Sequence, residues 1–283
     1  MTPALARRIG ERLGAAVADV RAVSGGDINE AYAVTTVDRR MVFAKANAAA
    51  PVGMFAAEAD GLAWLAAAGA VRVPAVIAVA DDFLVLEWLE PGARPAGFGA
   101  ALGRGLAALH GAGAPAFGHS RDNFIAIVPQ ANAPVATWAD FWIDRRIAPM
   151  IERAIAAKRG PARWRIDAEG LRERVRELPG ADEPPARLHG DLWSGNVHAT
   201  GGAPALVDPA VHGGHREVDL AMLALFGGLT DDITDAYAEL HPLAAGWRER
   251  LALWQLYPLL VHAVLFGGGY GAQADAVLRR FAR

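Results

Sequence analysis

The feature that most constrains this chain is one run, His189-Gly190-Asp191-Leu192-Trp193-Ser194-Gly195-Asn196, followed after a short apolar stretch by Leu206-Val207-Asp208-Pro209. Asp191 and Asn196 are separated by four residues, and the apolar triplets Ala186–Leu188 and Ala205–Val207 precede the two motifs. Transfer of a phosphoryl group from ATP asks for such a set. It needs one carboxylate to orient an attacking hydroxyl and take its proton, and an amide and a second carboxylate to hold magnesium on the phosphates. Asp, Asn and Gly are also ordinary turn residues, so a pair of tight turns satisfies the same letters. Two predicted β-segments each ending on an oxygen ligand favour the chemical reading.

The N-terminal third supplies matching parts. Thr2-Pro3 predicts a helix start, with Leu5, Ile9 and Leu13 on one face. Strands are expected at 20–23, 30–36 and 41–46, and again at 74–80 and 83–89. The turn Ser24-Gly25-Gly26-Asp27-Ile28 lies between the first two strands, where glycine lets backbone N–H groups approach phosphate oxygens. A plain hairpin turn uses the same residues. Lys45 lies on the third strand, where it can reach the α and β phosphates, and Glu58, on a helix predicted over 53–68, can pair with it. Either residue alone is common on a solvated face. The carbonyl of Glu87 and the N–H of Leu89 lie where the chain leaves the sheet and can meet an adenine edge; an ordinary interdomain connection reads the same way. Pro and Gly concentrate at 91–99, which sets the expected division at 1–90 and 91–283.

The remainder reads as mainly helical. Helices are predicted at 96–112, 138–158, 167–178, 218–226, 233–240, 246–266 and 272–281, with a long irregular segment over 115–135. His110 reads as a C-terminal partner of its helix dipole. Asp219 reads as a brace for the Asp191 loop, and Arg216 as its partner or a phosphate ligand. The 283 residues are 53% hydrophobic, enough for a substantial core, and carry a net charge of −3, which gives no argument for nucleic acid, and no nucleic-acid partner is expected. The absence of cysteine excludes disulfides, thiol nucleophiles and cysteine-held zinc. No secretory pattern opens the chain, and the apolar 256–271 stretch is interrupted by Pro258, His262 and several glycines. A soluble cytoplasmic monomer, without a membrane partner, is the expectation.

These residues resemble the fructosamine kinase family, within the wider protein-kinase-like and aminoglycoside-phosphotransferase-like group. The likeness is carried by SGGDINEAY at 24–32, VFAK at 42–45, the DNFI–PQ–N run at 122–132, HGDLWSGNV at 189–197, LVDPA at 206–210, GHREVDLAM at 214–222 and the WQLYPLLVHAVLFGGGY stretch at 254–270. It implies an α+β, bilobal, protein-kinase-like fold, with an N-terminal antiparallel five-stranded lobe carrying a helix and a mainly helical C-terminal lobe. It also implies ATP and Mg²⁺ as cofactors, with Asp191 as base, Asn196 and Asp208 on the metal, and Lys45 with Glu58 on the nucleotide. The implied acceptor is the 3-hydroxyl of a ketosamine on a small molecule or protein, ribulosamine or erythrulosamine more than fructosamine, in a deglycation repair. Trp193, Asp122, Asn123, Gln130 and His262 are the acceptor-side candidates, with Tyr257 beside them; packing is the other reading of Trp193, and a satisfied helix histidine that of His262. Asp208-Pro209-Ala210 replaces the DFG of protein kinases, and ten residues separate Asp208 from Asp219, too few for a long activation segment. Ala126 stands where the resemblance implies glycine. A kinase of another amine-bearing alcohol, such as an aminoglycoside or choline-like compound, is the rival, and a catalytically silent nucleotide-binding module is a second.

Overall fold

The computed structural model describes residues 1–23 and 28–282; the predicted phosphate-covering residues Gly25, Gly26 and Asp27 lie outside them. Helix α1 (Pro3–Leu13) starts where Thr2 Oγ1 accepts from Leu5 N at 3.2 Å, and ends on Gly14 in the left-handed region. Strands β1 (Val17–Ala22), β2 (Glu30–Thr36), β3 (Met41–Ala46), β4 (Val76–Val79) and β5 (Phe83–Glu87) form one antiparallel sheet in the order β1-β2-β3-β5-β4. Helix α2 (Met54–Ala66) packs its Phe55 and Leu62 against Leu84 and Leu86 of β5. Lys45 pairs across the ladders with Ala31 and Leu84, so it sits on the central strand of the sheet.

Helix α3 (Phe98–Gly111) opens the helical part. The segment expected to be irregular contains a short hairpin, β6 (Asn123–Ile125) and β7 (Val128–Gln130), joined by Ala126 and Ile127. Three-residue strands are too short to leave a period-2 signal. The hairpin's first loop residue, Ala126, has φ +55°, a conformation that tight two-residue hairpin loops demand and that L side chains resist.

The helix expected over 138–158 is broken into three registers: α4 (Trp138–Phe141), a π-helical turn at Trp142–Ile147, and α5 (Ala148–Ala156). Pro149 has no N–H to give the carbonyl of Arg145, and the Arg146 guanidinium donates to that carbonyl instead at 3.1 Å. The same cause divides 246–266. Pro258 cannot donate to Trp254, and α9 (Trp247–Trp254) and α10 (Leu256–Phe266) meet at Gln255. Between these stand α6 (Trp164–Arg176), β8 (Ala186–Leu188), the hairpin β9 (Val197–Thr200) and β10 (Ala203–Leu206), β11 (His212–Gly214), α7 (Glu217–Leu225) and α8 (Asp231–Leu240); α11 (Tyr270–Phe281) ends the chain.

The largest core gathers Trp138, Trp142, Trp164 and Trp254 with Phe141, Ile147, Leu171 and Leu260. At its edge a buried ion pair fixes α7. Glu217 accepts twice from Arg250, at 2.6 and 2.9 Å, and once from Trp254 Nε1 at 2.8 Å. Arg216, expected at Asp219 or a phosphate, instead forks onto Glu183 at 2.6 and 2.9 Å and donates to the carbonyls of His241 and Pro242. A planar guanidinium with one carboxylate and two carbonyls in reach is fully engaged in holding loop to helix.

Glu217→Ala strands a desolvated guanidinium, so it should cost about 3–5 kcal/mol, read as a lower urea midpoint at unchanged slope. Ala126→Gly should raise stability by about 0.5–1 kcal/mol, the left-handed penalty less the extra chain entropy of glycine, read by thermal unfolding.

Candidate functional site

The central loop is held by one carboxylate. Asp219, fully buried on α7, accepts from the backbone N–H of His189 at 2.7 Å and of Gly190 at 2.9 Å. Burial pushes its pKa up, but His110 Nε2 at 3.2 Å and these N–H groups more than reverse that and hold it below the usual carboxylate range. His110 does not act on its own helix end. Its other ring nitrogen meets the Tyr237 hydroxyl at 2.8 Å, so it orients Asp219 from behind. Gly190 has φ +82°, and a Cβ there would lie 2.0 Å from the Ala210 carbonyl, which leaves glycine as the residue that fits. His189 donates through Nε2 to the Val207 carbonyl at 2.9 Å and accepts on Nδ1 from Asp191 N at 3.3 Å, an arrangement only the neutral ring can make. Burial accordingly lowers its pKa.

Asn196 and Asp208 are brought together by one hairpin. Strands β9 and β10 pair from Val197↔Leu206 to Thr200↔Ala203, across a tip whose Gly201 and Gly202 both have positive φ, as a two-residue turn of this hand requires. Asn196 precedes the first strand, Asp208 follows the second, and Val207 N donates back to the Asn196 carbonyl at 3.1 Å. The Gly201-Gly202 pair is a hairpin signal that the reading of the sequence passed over. Asn196 Nδ2 donates to the Asp191 carbonyl at 2.8 Å and to Asp191 Oδ2 at 3.4 Å, which leaves the amide oxygen as an open acceptor. Asp208 itself has φ +57°, a strained backbone at the point where its side chain enters the cleft.

Lys45 completes the group. Its Nζ lies 2.8 Å from Glu58 Oε1 and 2.5 Å from Asp208 Oδ1. Burial lowers its pKa, yet the Asp208 and Glu58 charges overcome this and the ammonium is held protonated. Burial, partly countered by Lys45, pushes Glu58 up. Asp191 is raised to about 7, first by burial and then by the Asp208 charge, against the opposing hydrogen bond from Asn196.

All five groups line one cleft of about 500 Å³. Ile28, Trp193 and His262 line it too, with Met54, Phe124, Ala126, Met222 and Phe266. An aromatic wall runs along it: Trp193 meets Phe226 edge-on at 6.2 Å, Phe226 lies 5.4 Å from the His262 ring, and Phe266 lies 5.6 Å beyond. Trp193, Phe226 and Phe266 are 40%, 41% and 57% exposed, large apolar faces open to solvent. Phe226 and Phe266 carried no signal in the sequence, because a helix-end aromatic reads as core. The other candidates stand elsewhere. Asp122, Asn123, Gln130 and Tyr257 line a second cavity of about 820 Å³. The Glu87 side chain is occupied by Arg72 at 2.6 Å and Ala75 N at 3.2 Å, its N–H donates to the Ala75 carbonyl at 2.8 Å, and Leu89 is buried; neither residue lines the cleft.

Two oxygen-donor side chains converging in one cleft suit a hard divalent ion, which keeps waters and phosphate oxygens for its remaining positions. No cluster of three or more His, Asp or Glu that could hold a metal alone occurs among the described residues. No helix of the described residues is long and apolar enough to cross a membrane.

A five-stranded lobe with a lysine–glutamate pair, a helical lobe with the Asp191–Asn196–Asp208 set and a cleft at their junction define a protein-kinase-like phosphotransferase. A sequence model of the fructosamine kinase family matches residues 1–283, and the chain belongs to that family. It is 39% identical over 269 residues to the probable ketoamine kinase of Enterococcus faecium, covering 92% of this chain and 94% of that one. Its structure superposes with a TM-score of 0.89 on a candidate fructosamine-3-kinase from Thermobifida fusca, 41% identical, covering 99% of this chain and 100% of that one. The aminoglycoside phosphotransferase APH(4)-Ia, solved with AMP-PNP and hygromycin B, shares the fold at a TM-score of 0.63 and 18% identity, over 98% of both chains. The chain is therefore an ATP-dependent kinase with a hydroxyl group as acceptor.

If Asp208 lifts Asp191, Asp208→Asn should move the Asp191 carboxyl titration down from about 7 toward the ordinary carboxylate range. Carboxyl ¹³C NMR of the nucleotide-free protein reads this directly; an unmoved midpoint would leave burial and the Asp219 charge as the causes.

Proposed function

We propose that this kinase phosphorylates the 3-hydroxyl of a ketosamine, a ribulosamine or erythrulosamine in preference to a fructosamine, and that release of the amine from the labile product makes it a deglycation repair enzyme. The observation that carries the reading is the meeting of Lys45, Glu58, Asp191, Asn196 and Asp208 in one cleft beside an open aromatic wall. Three carboxylates against one ammonium give the cleft a negative balance, which suits a divalent ion and an amine-bearing acceptor. Its modest volume, shared with a triphosphate, suits a short sugar chain.

In this reading residues 1–90 form the nucleotide lobe and 91–283 the acceptor lobe. Asn196 and Asp208 hold Mg²⁺, which when bound neutralises phosphate charge. Lys45, released from Asp208 toward the α and β phosphates, stays oriented by Glu58. Ile28, on the cleft's lining, stands beside the phosphates, and the Glu87 carbonyl and Leu89 N–H face the base. Asp191 accepts the proton of the attacking hydroxyl, and the oxygen so freed bonds to the γ-phosphorus as the bond to the ADP oxygen breaks. Trp193 and His262 flank the sugar.

A base that must be ionised and titrates near 7 makes kcat/KM for ATP fall about tenfold per pH unit below about 7, and level off above it. Asp191→Asn should lose that limb and lower kcat about 10²–10⁴-fold on a ribuloselysine acceptor. Near wild-type kcat in the variant would remove Asp191 from the role. A panel of ribulosamines, fructosamines and aminoglycosides, with ³¹P NMR of the product, decides acceptor and position.

A further inference from the structure

The second cavity adjoins the cleft along three walls. Phe124 lines both; Gly53 borders one and Met54 the other at the start of α2; Tyr257 borders one and Val261, one turn on along α10, the other. The charge balance reverses between them. The cleft holds Glu58, Asp191 and Asp208 against Lys45, whereas the cavity holds Arg121, Arg145 and Arg153 against Asp122 alone.

None of these three arginines forms an ion pair with a carboxylate among the described residues. Arg121 donates to the Ala56 carbonyl at 3.2 Å and Arg145 makes a long contact of 3.4 Å to the Ala133 carbonyl. Asp122 is already engaged: its Oδ1 accepts from Asn132 N at 2.8 Å. A fourth cation lies buried behind the wall. Arg146, 1% exposed, reaches the Ala131 carbonyl at 2.8 Å and Asn132 Oδ1 at 2.5 Å, and its face covers Phe141 and Tyr257. It has no carboxylate either, and its Nε has no partner. Buried charge left unneutralised by the protein raises the potential of the cavity beside it, because little water screens it. The π-helical turn sets Arg145 and Arg146 on successive positions, one half-exposed at the cavity and one buried behind it.

We infer that this cavity is an anion-recognising extension of the acceptor site that takes a carboxylate borne by the amine portion of the substrate, while the sugar portion lies at Asp191. The inference rests on the ketosamine reading. It assigns the cavity residues Asp122, Asn123, Gln130 and Tyr257 to the wall of the amine-side pocket and leaves the reacting sugar to the aromatic cleft.

Two acceptors differing only in charge test it: the ribulosamine of Nα-acetyl-lysine, with its free carboxylate, and that of its N-methylamide. Wild type should favour the carboxylate about fivefold in kcat/KM, chiefly through KM, the size expected of a half-exposed charge pair. Arg145→Ala/Arg153→Ala should treat the two alike, with KM for ATP unchanged. Equal kcat/KM on wild type, or discrimination surviving in the double variant, would overturn the inference. An arm without turnover separates it from the parent reading. With Mg-AMP-PNP saturating the cleft and ionic strength fixed, malonate should raise the thermal midpoint of wild type and not of the double variant. Equal responses overturn the anion site even if ketosamines are phosphorylated. Failure of both acceptors to react, with the malonate difference present, would instead overturn the ketosamine reading and the substrate assignment of the cavity with it.

Discussion

The loop that presents Asp191 to the cleft depends on one buried carboxylate. Asp219 has two oxygens, and each is committed to a backbone N–H of the turn that presents Asp191. An ionised carboxylate with no exposure is costly unless its acceptors are filled. Here the cost is met by geometry: His110 lies behind, α7 is pinned by the Glu217–Arg250 pair, and Gly190 lets the turn approach closely enough to donate. Removal of any of these relaxes the turn before it touches a reacting group, so position and stability are joined at this point.

The resting charges form a second, linked arrangement. Lys45 sits between Glu58 and Asp208, standing where a divalent ion and phosphates would compete for the same carboxylate. Burial, and after it the Asp208 charge, lift Asp191 to about 7 against the opposing hydrogen bond from Asn196. A cation brought to Asp208 would thus both free the lysine and ease ionisation of Asp191; in the proposed reading, that couples nucleotide loading to readiness of the base.

Much of this was legible from the chain. The five strands, helix α2, and the HGD, Asn and VDP positions are carried by local periodicity and fixed spacing. The pairing of Lys45 with Glu58 follows from a strand and a helix in register. What was hidden is of two kinds. Short elements such as Asn123–Gln130 are too brief to show a period, and only the strained Ala126 betrays the turn. Long-range partners leave no local trace. Arg216 chose Glu183, His110 turned to Asp219, and proline-driven breaks at Pro149 and Pro258 changed helix register through missing N–H groups. The division of acceptor candidates between two adjoining cavities is also tertiary, since Gln130 bonds Tyr257 on α10 beside one cavity while His262, further along the same helix, lines the other.

The β9–β10 hairpin has a further consequence. Because Asn196 and Asp208 sit at its two open ends, the gap between them is set by the ladder and not by the chain length connecting them. The hairpin behaves as a caliper: its jaws are held by the ladder while its far end, Gly201-Gly202, takes no part in the cleft's lining. Length change at that far end is therefore decoupled from the jaws, whereas a slip of one position along the rails would turn every side chain over and misalign both jaws at once.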